Sequence, residues 1–91
     1  MPRIDIARNT ALKLISEVIG NGKLLSELTL KPKFVALKEA ERARAQRLAT
    51  ETLRGLEKVD RILSKYLNKK PPLQVLNILR LATFELCVGG E

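Results

Sequence analysis

Apolar residues recur every three or four positions along most of the chain, which is the spacing of one face of a helix. In the first segment, the apolar residues on that face are Ile4, Ala7, Ala11, Leu14, Ile15 and Val18. Gly20 and Gly22 follow them. Glycine often ends a helix because it readily adopts the left-handed conformation at the C-terminal cap. The pattern therefore predicts a first helix that stops at these glycines.

The next stretch has a weaker apolar pattern. Residues 23–28 carry three leucines and predict a short second helix. Residues 29–37 contain Pro32 and β-branched side chains, which predict a connecting loop. We expect Phe34 and Leu37 to anchor this loop on the core.

Residues 39–67 contain no proline and one glycine, Gly55. If they form a single helix, its broad apolar face consists of Leu48, Ala49, Thr52, Leu56, Val59, Tyr66 and Leu67. A glycine inside a helix costs about 1 kcal/mol relative to alanine. One continuous helix and a bend or break near Gly55 are therefore both compatible with the pattern. Pro71 and Pro72 end the segment, because the residue before a proline is disfavoured in helical geometry.

The last segment, residues 73–88, is apolar around most of its circumference, which is typical of a helix buried on most sides. Its 16 residues are too many for a strand in so small a domain. We expect this helix to be the central rod on which the others pack. The predicted fold class is all-α, a bundle of about five helices around the C-terminal helix, in a single domain over residues 1–91.

Composition excludes several classes of function. The chain has 91 residues, and its 17 Lys and Arg against 10 Asp and Glu give a formal charge of +7. One cysteine and no histidine leave no structural zinc site, no histidine-based triad and no disulfide framework. A chain of this length has no room for a cofactor-binding α/β domain. We therefore expect neither catalysis nor a bound cofactor or metal within it.

Membrane insertion and secretion are not expected either. No apolar run approaches the roughly 18 residues that a membrane span needs, and the N-terminus lacks the apolar core of a secretory signal. The default location is the cytoplasm. Cys87 lies between Leu86 and Val88, and a reactive thiol needs an accessible, electropositive setting. We expect Cys87 to be a buried structural residue.

Six cations of residues 39–67 gather on one side of the helical wheel, opposite the apolar face. They are Arg44, Arg47, Arg54, Lys58, Arg61 and Lys65. A row of cations along a helix matches the charge repeat of a nucleic-acid backbone. Glu41, Glu51 and Glu57 precede three of these arginines by three or four residues and could form ordinary surface salt bridges with them. The row of cations by itself is compatible with two interpretations, RNA contact and a solvated helix face.

A second basic cluster, Arg3, Arg8 and Lys13, lies at the start of the first helix. Positive side chains there oppose the helix dipole, which suggests an anionic partner. Free backbone N–H groups at the same end could also bind an anion. A terminus that is basic for no functional reason explains the cluster equally well.

The three aromatic residues, Phe34, Tyr66 and Phe84, fall at apolar positions, and we expect all of them in the core. Readout of single-stranded RNA by base stacking needs an exposed aromatic side chain, so it is disfavoured. The remaining mode of RNA binding is recognition of the backbone and shape of folded RNA.

Five sequence blocks, taken in order, resemble the NusB-like domain. The version at the N-terminus of the Sun/Fmu (RsmB-type) ribosomal RNA cytosine-5 methyltransferases is the most similar. The blocks are Arg8-x-x-Ala11-x-x-Leu14, Glu41-Arg42-Ala43-x-x-Gln46-x-Leu48, Leu53-Arg54, Asp60-x-x-Leu63 and Leu79-Arg80-Leu81-Ala82-Thr83-Phe84-Glu85-Leu86. The resemblance covers nearly the whole chain. It implies an all-α, RNA-binding fold and the N-terminal part of a longer protein.

The resemblance also implies a function. The domain would position structured ribosomal RNA for a separate catalytic domain that uses S-adenosylmethionine. The family's arginine-rich first helix implicates Arg8, and also Arg3, in RNA binding, whereas Arg54 of the Leu-Arg block could be a structural pairing residue. The alternative is an antitermination-type interaction module that acts in transcription with a ribosomal protein partner.

These inferences define the candidate RNA contacts, which are Arg3, Arg8, Arg44, Arg47, Arg54, Lys58 and Arg61. They also bear on the apolar last helix. If the helices that cover it in the family are missing, its exposed surface would drive self-association.

Overall fold

The computed structural model describes residues 5–88, which form six α-helices and a final π-helical turn. The helices are α1 (Ile6–Asn21), α2 (Leu25–Leu28), α3 (Pro32–Val35), α4 (Glu39–Arg54), α5 (Leu56–Ser64) and α6 (Leu73–Thr83), and the π-helical turn spans Phe84–Val88. No strand occurs among these residues, which confirms the all-α class. None of these helices has a long enough apolar stretch to cross a membrane.

Local signals set both ends of α1. The Asp5 carboxylate accepts a hydrogen bond of 3.0 Å from the backbone N–H of Arg8, which caps the N-terminus. Gly22 adopts the left-handed conformation (φ 66°) at the C-terminus, and its N–H donates to the Glu17 carbonyl. The expected stop at the glycines is confirmed.

The expected loop at residues 29–37 is wrong in part, because α3 lies within it. Pro32 is the first residue of this short helix. Proline is well tolerated there, since the N–H that it lacks would have no partner inside the helix. Phe34 is buried, as expected, and Leu37 is half-buried. This additional helix accounts for six helices instead of five.

The segment of residues 39–67 breaks at Gly55, between α4 and α5. A break there was one of the two alternatives that the sequence pattern left open. Helical hydrogen bonds still flank the break: the Gly55 N–H donates to Glu51 at 3.0 Å, and the Val59 N–H donates to Gly55 at 3.0 Å. The interruption is therefore confined to one residue.

The larger core lies between α1 and α4, which are in extensive contact. Small residues meet there, since Ala7 and Ala11 of α1 and Ala45 and Ala49 of α4 are fully buried. Alanines at such positions allow two helices to approach closely and to exclude water. Larger side chains complete this cluster: Leu14, Ile15, Leu28, Phe34 and Leu81.

A smaller core forms where α5, α6 and the π-helical turn meet. It consists of Val59, Leu63, Leu76 and Phe84. Gly55 lies at its edge: a Cβ there would be 3.6 Å from the Phe84 ring. This second cluster holds the C-terminal elements against α5.

The last helix contacts α1, α4 and α5, but the prediction that it is buried on most sides is wrong. Val75 and Ile78 of α6 are 45% and 51% exposed, and Leu86 of the π-helical turn is 83% exposed. The reason is that α6 packs mainly against α1 and α5. An apolar stripe that includes Val75 and Ile78 is therefore exposed to solvent. Self-association through this stripe stays a prediction. Cys87 is exposed rather than buried, which corrects a second expectation.

Candidate nucleic-acid interface

The basic row predicted from the sequence is divided between two helices. Arg44, Arg47 and Arg54 lie on α4, Lys58 and Arg61 lie on α5, and all five are exposed. Arg3 lies outside the residues that the structure describes. The surroundings of the described cations separate them into three groups, according to the carboxylates that each one meets.

Arg8 belongs to the first group, in which arginines bridge distant parts of the fold. Its Nε and Nη2 donate to the two carboxylate oxygens of Glu85 at 2.9 and 2.8 Å. This bidentate pair joins α1 to the π-helical turn. The hydrogen bond and the charge of Glu85 raise the pKa of Arg8 above its usual value. The predicted RNA contact is therefore also a tether between the two ends of the chain.

Arg44 also bridges two elements. Its Nη1 lies 3.1 Å from Oδ1 of Asp5, so it links α4 to the N-terminal cap of α1. Hydrogen bonding from the Arg8 backbone N–H is the main cause that lowers the pKa of Asp5, and the charge of Arg44 lowers it further. The expected pair of Arg44 with Glu41 does not form, because Asp5 takes its place.

The second group forms short-range surface pairs. Arg47 Nε lies 3.5 Å from Glu51, and Arg61 Nη2 lies 3.4 Å from Glu57. Both arginine side chains remain largely exposed, at 78% and 69%. Such pairs typically contribute less than about 1 kcal/mol, so an anionic partner can displace the glutamates at little cost. The expected pair of Arg61 with Glu57 is confirmed.

The third group has no ion-pair partner among residues 5–88. Arg54 and Lys58 belong to it, and so do Lys65, Lys69 and Lys70 beyond them. Five cations elsewhere also lack an ion-pair partner among the described residues, namely Lys13, Lys31, Lys33, Lys38 and Arg42. The expected pair of Arg54 with Glu51 is wrong, because Glu51 turns to Arg47. We call residues 54–70, which end α4, form α5 and continue past it, the basic segment.

The basic segment carries more positive charge than its neighbours balance. It contains six cations, Arg54, Lys58, Arg61, Lys65, Lys69 and Lys70, against the two carboxylates of Glu57 and Asp60. Asp60 is held by Arg80 of α6, at 2.8 and 3.0 Å. Only Glu57 is therefore left to oppose the six cations locally.

Tyr66 also lies in the basic segment, and it is 79% exposed. The expectation that it belongs to the core is wrong. The helical face that includes Tyr66 assumes a helix running to residue 67, whereas α5 ends at Ser64. Phe34 and Phe84 are buried, as expected. An exposed aromatic side chain thus accompanies the unpaired cations, which the sequence pattern alone did not indicate.

Sequence reasoning assigned no role to a buried polar cluster around Arg80. The guanidinium, whose side chain is 9% exposed, makes a bidentate pair with Asp60 and donates to Asn77 Oδ1 at 2.9 Å. Asn77 Nδ2 in turn donates to Ser16 Oγ at 3.3 Å. These bonds join α5, α6 and α1. The only charged residue among residues 73–84 was the available signal.

A separate groove of about 680 Å³ lies beside α1, α3 and α6. Apolar residues that line it include Leu14, Phe34 and Ile78. Three lysines also line it, namely Lys13, Lys31 and Lys33. The apolar part of this lining fits the side chains of a protein partner.

The model of the NusB family matches residues 5–89. No curated protein and no solved structure gives a significant match.

Proposed function

Because the chain belongs to the NusB family, we propose that it binds RNA through the basic segment. Membership indicates an RNA-binding or antitermination-type function. The observation that supports this surface is its six exposed cations, of which only Arg61 has a carboxylate partner among the described residues. Of the candidate contacts, Arg54, Lys58 and Arg61 belong to this surface, and Arg47 lies about two helical turns before it on α4.

The proposed mechanism is electrostatic. Lysine and arginine side chains neutralise RNA phosphates and release the counterions condensed on them. Arg61 exchanges the exposed Glu57 for a phosphate, whereas Lys58 and Arg54 give up only hydration. Arg47, before the basic segment, would exchange the half-buried Glu51 in the same way. Affinity then depends on how many phosphates the surface engages, and it falls as salt competes for the same sites.

The experiment is a titration of a labelled RNA stem-loop with the protein at about 50 mM and about 200 mM salt. If four to six phosphates are engaged, the fourfold rise in salt weakens binding by about two to three orders of magnitude. Affinity that does not change with salt contradicts the proposal, as does a failure to bind at the lower salt.

We further propose that this RNA is ribosomal and that the domain presents it to a cytosine-5 methyltransferase domain of the Sun/Fmu type. The sequence blocks that resemble those enzymes support this proposal. S-adenosylmethionine would bind that other domain, because residues 5–88 contain neither a sheet nor a glycine-rich loop to hold it. The role assigned to this chain is RNA positioning, and its location would be the cytoplasm.

Sequencing of the reading frame beyond codon 91 tests the methyltransferase proposal. A downstream region with a glycine-rich cofactor motif and a Pro-Cys pair supports it. A stop codon soon after residue 91 contradicts it and favours the interaction module instead. Neither result alters the proposal that the basic segment binds RNA.

The groove favours the second candidate function, an antitermination-type module that binds a ribosomal protein. Ile78 lines the groove and is 51% exposed, so Ile78→Glu places a charge on its apolar wall with little effect on the core. Titration against purified ribosomal proteins should show binding that this variant abolishes, while RNA affinity is unchanged. If no ribosomal protein binds, the second candidate function is wrong.

A further inference from the structure

We infer that Tyr66 is a stacking platform for an unpaired base of the RNA that the basic segment binds. This inference rests on the proposed function and extends it, because it names the form of RNA that is recognised. Cations alone fit the backbone of any nucleic acid. An exposed aromatic ring among them adds a contact that only an unstacked base can make.

The exposure of Tyr66 is the first observation. The chain has two phenylalanines, one tyrosine and no tryptophan. Both phenylalanines are in the cores, at 8% and 6% exposure, whereas Tyr66 is 79% exposed. Its backbone N–H donates to Leu63 at 2.9 Å and holds the residue in the last turn after α5. Tyr66 is thus fixed by its backbone while its ring is left to solvent.

The charges around Tyr66 are the second observation. Lys65 precedes it, Lys69 and Lys70 follow within four residues, and all three are exposed. None of them has a carboxylate within ion-pair distance among the described residues. Phosphates on either side of a base that stacks on the ring would meet these lysines. Stacking and phosphate contact thus come from the same short stretch of chain.

This arrangement discriminates between forms of RNA. In a duplex each base is stacked on its neighbours and its faces are covered, so a tyrosine ring on the protein surface has no base to meet. Loops, bulges and single strands display free base faces. Stacking on an aromatic side chain contributes about 1–3 kcal/mol per base, which corresponds to a factor of about 5 to 150 in affinity.

The chain is suited to a direct test, because with one tyrosine and no tryptophan its intrinsic emission comes from Tyr66 alone. The probes are a single-stranded oligouridine and an RNA duplex with an equal number of phosphates. Oligouridine should quench the emission, whereas the duplex should bind and leave it nearly unchanged. N-acetyltyrosinamide titrated with the same RNAs corrects for absorption by the bases.

Variants separate stacking from charge. Tyr66→Ala should weaken oligouridine binding by about tenfold, and Tyr66→Phe, which keeps the ring, should stay within about twofold of the parent. Leu30→Ala is the matched control, because Leu30 is 78% exposed and lies outside the basic segment. All three variants should unfold at the temperature of the parent, since neither side chain belongs to a core.

Each outcome is decisive. Quenching by oligouridine together with the loss in Tyr66→Ala supports the inference. RNA binding with unchanged emission and unchanged affinity in Tyr66→Ala overturns the inference and leaves the proposed function intact. Failure of both RNAs to bind at low salt overturns both. Quenching by polyglutamate but by neither RNA assigns the surface to an acidic protein and also overturns the inference.

Discussion

The α1–α4 side of the molecule and the basic segment carry similar cations, but they use them differently. Arg8 and Arg44 each meet a carboxylate from another element, at 2.8 and 3.1 Å. Lys58 and Lys65 meet none among the described residues. In the sequence, both sets look like one basic surface. The difference shows that the carboxylates supplied by the fold, rather than the count of cations, decide where positive charge is available to a partner.

The two kinds of cation should also respond differently to mutation. Removal of a bridging arginine breaks a link between elements, so stability falls. Removal of a cation from the basic segment leaves the fold unchanged, so RNA affinity falls instead. Arg80 marks the extreme of the first kind, since its side chain is 9% exposed and bound to three oxygen atoms. The following variants test this division.

The largest effect is expected for Asp60→Ala, which leaves the Arg80 guanidinium buried without its counter-charge. Breaking a buried ion pair costs about 3–5 kcal/mol. Asp60 is 41% exposed, so we expect the lower end, about 3 kcal/mol of unfolding free energy measured by urea denaturation. Glu57→Ala, which removes a 91% exposed carboxylate, is the control and should change stability by less than about 0.5 kcal/mol. Equal losses in both variants would contradict a structural role for Arg80.

The next effect concerns RNA affinity. A triple variant, Lys58→Gln, Lys65→Gln and Lys69→Gln, should weaken RNA binding by about 30-fold and reduce the slope of its salt dependence by about 2–3. Its melting temperature should match that of the parent.

The matched control for the triple variant removes the same charge elsewhere, through glutamine at Lys13, Lys31 and Lys33 of the groove. We expect its RNA affinity to fall by less than about threefold, from the loss of long-range attraction alone. If the two triple variants bind RNA equally weakly, net charge and not the basic segment determines affinity.

A smaller effect is expected at the N-terminal cap of α1. Asp5→Ala should destabilise the fold by about 1 kcal/mol, the usual contribution of a capping carboxylate. Because the pKa of Asp5 is lowered in the folded state, its ionised form contributes stability above the ordinary pKa of 3.8, and this is lost as pH falls through the lower folded pKa. The difference in unfolding free energy between parent and Asp5→Ala should thus shrink below about pH 4. A constant difference down to pH 3 would show that the charge of Asp5 has no role.

The smallest effect is expected for the Arg8–Glu85 tether. Arg8 is 51% exposed, so Arg8→Ala should cost about 0.5–1 kcal/mol of unfolding free energy. Glu85→Ala should cost a similar amount, and the double variant should lose less than the sum of the two. Additive losses would mean that the two side chains do not stabilise the fold as a pair. RNA affinity measured on the same variants tests the separate prediction that Arg8 contacts RNA.

Local features of the fold could be predicted from the sequence. The helical periodicity and the glycine stop after α1 depend on residues near one another in the chain. The break at Gly55 was one of two alternatives that the local pattern left open. The burial of Phe34 follows from its apolar side chain, although the core that covers it comes from distant helices. Tyr66 and α6 were misplaced because a helical wheel assumes that a helix continues and that its apolar residues all find partners. Where α5 ends and what packs on α6 are set by the tertiary structure.

The candidate site could be predicted only in part. The basic row is visible in the sequence, and the i, i+4 pair of Arg61 with Glu57 follows from helical spacing. The links of Arg8 to Glu85 and Arg80 to Asp60 span 77 and 20 residues, and no local rule connects such positions. These distant carboxylates determine which cations stay free. The exposure of Tyr66 was not predicted because the helical pattern continues to residue 67, whereas α5 ends at Ser64.

The most direct test is a titration of the isotopically labelled protein with an RNA stem-loop, followed through backbone amide chemical shifts. We expect the largest shift changes in residues 54–70, with Tyr66 and its neighbours strongest when the loop bases are accessible. Changes confined to α1 and the first turns of α4, with residues 54–70 unaffected, would contradict RNA binding through the basic segment.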